Sequence, residues 1–239
     1  MNFFYGINNN LFKSEIQIPL FQNRNFKKSD LKLFKSYPKN NKWILQEISS
    51  NKINDYFYIL KNEDILSNEI FFLADETILD EFDDKKLKNF NNFTDTSPAF
   101  RANFKIYLNQ GGFSSFQSEY PYSMASKKGT ILSSISSIAN SDADKNYVLI
   151  KNIFEEPIEE NFRAYLVNYK TKSIEEQFEI KTNYTNCIEI SNKLIKPEIF
   201  LTTDKYLGIP MYVSVKNSFL SFEHTHPPHE YILSLDKFV

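Results

Sequence analysis

Several residue types that would advertise a chemistry are scarce in this chain. It has 239 residues but only five glycines, one cysteine and three histidines. Few glycines means no phosphate-cradling loop and no dinucleotide fingerprint, both of which need a backbone free to approach a phosphate closely. The single thiol, Cys187, leaves no partner for an intrachain disulfide and no paired-cysteine zinc site. Alternating with Ile188 in a strand, it reads as a small packed side chain. A lone thiol fits a reducing compartment. No apolar run approaches the ~20 residues needed to span a bilayer. The start, Met1-Asn2-Phe3-Phe4-Tyr5-Gly6, lacks the basic and apolar stretches of a secretory signal, so the expected location is the cytoplasm.

No charge of one sign dominates. The net charge is −2, and the lysines are scattered. A nucleic-acid partner calls for a positive stripe that displaces counterions, and a polybasic membrane contact calls for a basic cluster. Neither partner is expected. Hydrophobic residues at 41% and charged residues at 24% are ordinary for a folded domain, which excludes wholesale disorder. Aromatics reach 16%. Phe, Tyr, Ile, Asn and Lys are all abundant and all drawn from AT-rich codons, so the aromatics are not read as a stacking surface. They do favour strands over helices.

What is present is period-two alternation. Every even position of Phe100 to Leu108 is apolar, and Arg101, Asn103 and Lys105 lie between them. One face is in the core and the other in water, as in antiparallel sheets. Trp43-Ile44-Leu45, Tyr56 to Leu60 and Ile70 to Leu73 are short apolar runs bounded by polar residues. Phe162 to Tyr169 and Ile174 to Lys181 flank a polar turn as a hairpin would. Lys216-Asn217-Ser218 turns into a strand from Phe219 to His224. The fold class expected is all-β or β-dominated: an antiparallel β-sandwich, or a jelly roll or barrel, with one or two short helices. One helix is read over Asp75 to Leu87, where Ile78, Leu79, Phe82 and Lys86 have helical spacing and acids precede lysines. Ile131, Leu132, Ile135 and Ile138 also have helix-like spacing. The polar stretch Asn89 to Pro98 divides a strand-containing region, 1–95, from a sheet domain, 96–239. No repeat of fixed period is evident.

Two clusters could carry function. All three histidines lie in Glu223-His224-Thr225-His226-Pro227-Pro228-His229-Glu230. On a strand, His224 and His226 point to one side, and neutral imidazole is the commonest metal ligand near neutral pH. The spacing His224-x-His226-x-x-x-Glu230 resembles the first metal-binding motif of the cupin β-barrel family. That resemblance implies His224, His226 and Glu230, with His229 as a fourth candidate, as ligands of one divalent ion (Zn, Fe, Mn or Ni) in a metal-dependent enzyme or sensor. The chain departs from the motif: its flanking glycines are missing, two prolines interrupt it, and no histidine follows on a later strand. The alternative is structural. Leu220, Phe222, His224 and His226 share one strand parity, so both histidines can simply end an apolar face.

The second cluster follows Gly111-Gly112. Ser114, Ser115, Gln117, Glu119, Tyr120 and Tyr122 are read as a possible binding loop. With no catalytic signature in the chain, the function expected is a non-catalytic interaction module for a protein or carbohydrate ligand. No cofactor is expected unless the histidines hold a metal.

Overall fold

The computed structural model describes residues 2–20, 31–48, 51–53, 57–88, 101–109, 111–126, 131–224 and 232–233, with 51–53, 131 and 232–233 as backbone alone. Strand accounts for 54% of the molecule and helix for 7%, so it is β-dominated, and every strand pair is antiparallel. In chain order the first strands are β1 (Asn2–Phe3), β2 (Phe12–Pro19), β3 (Lys32–Lys39), β4 (Lys42–Glu47) and β5 (Asn51–Ile53). They are followed by β6 (Phe57–Leu60), β7 (Ile70–Ala74), β8 (Ala102–Leu108), β9 (Phe113–Ser118) and β10 (Tyr120–Pro121). Next come β11 (Ile131–Ser134), β12 (Lys145–Lys151), β13 (Asn161–Asn168), β14 (Ser173–Lys181) and β15 (Thr185–Ile190). The last are β16 (Ile199–Thr203), β17 (Ile209–Lys216), β18 (Phe219–His224) and β19 (Ile232–Leu233).

Four sheets of three to five strands are arranged in the manner of four blades, in place of the two faces of a single sandwich, and β1 pairs with β10 as a small ribbon. The N-terminal half builds two of the sheets, ordered β5-β6-β2-β8-β9 and β4-β3-β7. The C-terminal half builds the other two, ordered β15-β12-β17-β18 and β14-β13-β16-β11-β19. The halves share one topology. Replacing β2, β3, β4, β6, β7, β8 and β9 by β12, β13, β14, β15, β16, β17 and β18 turns each N-terminal order into its C-terminal counterpart, with the edge strands β5, β11 and β19 left without an equivalent. Even the short 3-10 turns correspond: Asn62–Asp64 joins β6 to β7, and Asn192–Leu194 joins β15 to β16. Equivalent elements from β2/β12 to β7/β16 start about 130 residues apart. The sequence hides this repeat because a sheet constrains only the alternation and burial of its side chains, and many residues satisfy both.

That alternation is visible strand by strand. On β2, Phe12, Ser14, Ile16 and Ile18 are buried while Lys13, Glu15 and Gln17 reach toward solvent. On β8, Ala102, Phe104 and Ile106 are the buried set. The continuous apolar run Tyr147 to Ile150 in β12 has a different cause. Both faces of its sheet are covered: Tyr147 and Leu149 enter one core, and Val148 and Ile150 enter another. The first core is shared between the halves, joining Phe12, Phe72 and Phe104 to Met211, Val213 and Phe222. The second belongs to the C-terminal half alone.

Polar ties also cross between the halves. The Lys151 ammonium, fully buried, donates to the carbonyls of Ser67 (3.4 Å) and Glu69 (3.2 Å). Burial pulls its pKa down to about 7, while the Glu69 carboxylate opposes the shift. Glu69 is itself buried and paired with Lys35 at 2.7 Å. The Trp43 indole N–H donates to the Glu155 carbonyl at 2.8 Å.

The helix expected over Asp75 to Leu87 shrinks to one turn, Ile78–Glu81. Phe82 is extended, Asp75 and Asp83 side chains accept from the backbone of Thr77 and Lys85, and the Asp84 carbonyl accepts from Trp43 N–H. Short acidic side chains captured the local N–H groups, and tertiary partners took the rest. Ile131 and Leu132 lie in β11, not a helix. A second one-turn helix is Tyr122–Ala125. The strands β8 and β9 pair onto β2, so the sheets change over between β10 and β11. The expected boundary, Asn89 to Pro98, lies outside the described residues. Among the described residues, no helix is long and apolar enough to cross a membrane.

Candidate functional site

The β8–β9 and β17–β18 hairpins occupy equivalent places in the two halves, and their tips touch. A two-residue turn needs left-handed backbone at both central positions, and Asn217 (φ 49°) and Ser218 (φ 67°) supply it between Lys216 and Phe219. Asp144 fastens that turn by accepting from Asn217 N–H at 2.8 Å. In the other hairpin Gly112 (φ 72°) lies so near Ser218 that a Cβ on it would sit 2.4 Å from the Ser218 carbonyl oxygen. Glycine is required here by the neighbouring tip as well as by its own turn.

The residue after each turn is a phenylalanine turned outward. Phe113 is 62% exposed and Phe219 is 78% exposed. Tyr107 lies across the strand from Phe113, ring centroids 5.8 Å apart. Leu11, 45% exposed, lies by the end of β8, its carbonyl accepting from Asn109 N–H. Below the tips a cleft of about 310 Å³ opens between the halves, lined by Leu11, Phe12, Leu108, Lys145, Tyr147 and Val215, with Asn10, Asn109 and Ser218 at its edge. Phe12 and Tyr147, which meet edge to face at 5.2 Å, come from the equivalent strands β2 and β12. Burial raises the Tyr147 phenol above its ordinary range, so it is a hydroxyl donor at neutral pH. Lys145 lies 3.5 Å from Glu189 at the mouth.

Behind the tips, β9 and β18 run side by side with aromatic rings between them. Phe116 contacts Phe222 at 4.6 Å, and Phe222 contacts Phe104 at 5.4 Å. The His224 imidazole stacks on Phe116 at 4.4 Å and 17° between planes. His224 therefore continues the face of Phe222, as its strand parity suggests. The other members of the expected metal set, His226, His229 and Glu230, lie outside the described residues. Among the described residues no three His, Cys, Asp or Glu side chains converge on one point.

The second cluster is mostly strand and anchor. Ser114, Ser115 and Gln117 lie on β9, with Ser115 and Gln117 exposed on the face that carries Phe113. Glu119 is half buried, accepts from Asn2 Nδ2 at 3.0 Å and neighbours Arg101 at 3.5 Å; burial raises its pKa. Tyr120 is fully buried, its hydroxyl donating to the Ile153 carbonyl (3.3 Å) and accepting from Ile153 N–H (3.1 Å). The Tyr122 hydroxyl faces the Leu87 carbonyl (3.1 Å) and the Glu155 carboxylate (3.0 Å). Burial, then that carboxylate, pushes its pKa up to about 12. Both tyrosines join the halves together. Cys187 is likewise held as a neutral thiol, burial pushing its pKa up to about 12.

Sequence reasoning missed Phe113, Phe219 and Leu11. A signal was there: Phe113-Ser114-Ser115-Phe116 and Phe219-Leu220-Ser221-Phe222 each follow a turn and repeat Phe-x-Ser-Phe, outward ring first and inward ring last. No family model, no curated protein and no solved structure matches the chain.

Proposed function

We propose that this protein is a non-catalytic binding module that grips a partner protein with its two hairpin tips. Two paired-sheet, sandwich-like halves form the scaffold, and the tips present the contact. The observation that carries the reading is the exposure of Phe113 and Phe219, the two most exposed of the large apolar side chains among the described residues, at equivalent positions just after turns that touch through Gly112 and Ser218. A scattered exposed apolar residue needs no explanation. Two exposed phenylalanines concentrated at touching tips, next to a cleft of about 310 Å³ that Ser218 and Leu11 help to line, are the kind of apolar surface that marks a contact site. Each ring can bury ~150–250 Å² against a partner, enough to act as an anchor. Asn10, Asn109, Lys145 and Lys216 supply the polar rim that such interfaces carry. The tips are rigid: the Asp144 bond and the Gly112–Ser218 contact hold them before any partner arrives.

A photo-reactive amino acid at position 219 tests this in a lysate of the source cells. A discrete adduct is expected that is lost with Phe113→Ser. The same probe at Tyr169, on the distant sheet of β13 and β14, is expected to give none. Equal capture at both positions, or capture indifferent to Phe113→Ser, refutes the reading.

A further inference from the structure

A second groove lies elsewhere along the junction of the halves, and its chemistry is unlike that of the tips. One part, about 250 Å³, is bounded by Asn9 and Ser67 from the N-terminal half and by β14 and β15 from the C-terminal half. The adjoining part, about 320 Å³, is bounded by Pro38, Asn68 and the segment Glu159 to Asn161. Lys181 and Tyr184 line both parts, so the two adjoin along these side chains.

The turn that carries Tyr184 is fixed. Asn183 (φ 51°) accepts from Phe154 N–H at 2.7 Å and donates to the carbonyls of Glu156 (3.0 Å) and Ile158 (3.1 Å). Asn186 accepts from Lys181 N–H at 2.7 Å and returns a bond to the Lys181 carbonyl at 2.9 Å. Thr185 N–H donates across to the Ser67 carbonyl at 2.8 Å. The wall therefore exists before a ligand enters, which lowers the ordering cost of binding.

Three features select the ligand. The Thr185 hydroxyl, in a residue only 1% exposed and lining the groove, has no hydrogen-bond partner among the described residues. A buried hydroxyl left unpaired is costly, and a ligand hydroxyl reaching it removes that cost. The charge is on the acidic side: Glu159, Glu160 and Glu179 line the groove with Lys181, and Lys205 pairs with Glu160. Each carboxylate is already oriented, Glu159 by Asn40 N–H at 3.0 Å and Glu179 by Asn161 Nδ2 at 2.9 Å. Such a site offers fixed acceptors to hydroxyl donors and no positive excess to hold a phosphate, and its paired carboxylates leave little free charge for a polycation. Finally, the half-buried Tyr184 ring stands where the two parts meet and gives an otherwise polar groove one flat apolar face; the Lys181 ammonium lies 5.4 Å from its centroid.

We propose that this groove binds a neutral oligosaccharide, with a sugar ring against Tyr184 and a sugar hydroxyl on Thr185. The site is independent of the hairpin tips. The test is an NMR and calorimetric titration of the full chain with gluco-, xylo-, manno- and chito-hexaose, and with spermine and inorganic phosphate as charged probes. At least one hexaose is expected to shift Tyr184 and Thr185 resonances. Tyr184→Ala should weaken it about tenfold or more, and Tyr184→Phe should restore most of the affinity. Thr185→Val, which keeps the shape and removes the hydroxyl, should weaken binding without lowering Tm. Phe113→Ser with Phe219→Ser should leave it unchanged. Binding of spermine or phosphate alone at this groove overturns the proposal. So does the absence of any response to all four sugars at about 10 mM, or a sugar affinity that Tyr184→Ala leaves intact.

Discussion

The two halves have one topology and two ways of burying it. The C-terminal half keeps a core of its own, in which Val148, Ile150, Ile188 and Tyr212 meet Phe162, Leu166 and Leu201. Among the described residues the N-terminal half has no separate core. Its Phe12, Phe72 and Phe104 are buried in a cluster that also takes in Tyr147, Leu149, Met211, Val213 and Phe222 from the other half. Equivalent strand order therefore does not imply equivalent independence. One half holds a core made of its own residues alone and lends a further apolar face to the shared one, while the other is buried only in the shared cluster.

The sharpest way to break this comparison is Phe104→Ala. Its ring meets Tyr5 (5.6 Å), Phe116 (5.9 Å) and Phe222 (5.4 Å) where the halves join. A loss of about 3–5 kcal/mol is expected in urea unfolding. Hydrogen exchange should then show β3 and β7 opening before β13 and β16. Simultaneous opening would mean that the two cores are equally dependent. Leu166→Ala, in the private core, should cost about 2–5 kcal/mol and open both halves together, because the N-terminal sheets rest on β12 and β17.

Lys151 sharpens the comparison through pH. Its folded pKa, lowered to about 7 by burial, lies below the unfolded value of 10.5. Between these values the unfolded chain holds a proton that the folded chain lacks. Its destabilising effect is thus full below pH 7 and fades as pH rises, with a slope of at most about 1.4 kcal/mol per pH unit. Above pH 9 the Cys187 thiol, its folded pKa raised to about 12, works in the opposite direction. Denaturation between pH 7 and pH 9 should therefore show stability rising with pH in the native chain. Lys151→Met should flatten that rise; an unchanged slope would show that Lys151 keeps its charge in the folded state.

The smallest effect concerns the hairpin tips. The N-terminal tip has Gly112 with positive φ, and the C-terminal tip has Ser218 in the same kind of conformation. Ser218→Gly should stabilise by about 0.4–1 kcal/mol, read as a small rise in Tm. A fall would mean that the serine side chain matters to the cleft beyond its backbone.

The strands were legible where one face is wet. Ala102 to Leu108 and the Phe162–Lys181 hairpin announce themselves by alternation, since water reaches every second side chain. The helix over Asp75 to Leu87 was misjudged because its spacing is compatible with a helix while Asp75, Asp83 and the Asp84 carbonyl have nonlocal or competing uses. The candidate sites were harder. Tyr120 and Tyr122 look like accessible aromatics in the sequence, yet their hydroxyls bind Ile153, Leu87 and Glu155 from other segments. Phe113 and Phe219 look like core residues, and only the hairpin geometry turns them outward. The polar groove brings residues from Asn9 to Cys187 together, a grouping with no local pattern to betray it.

By itself the sequence determined that the chain is built of antiparallel strands joined by tight turns, because residue alternation and left-handed turn positions are local properties of the backbone. The tertiary structure alone decided that the strands form two equivalent halves, that one half leans on the other, and that two different grooves open along their junction. Those depend on which faces meet, and contacts between residues far apart in the chain leave no periodic trace in it.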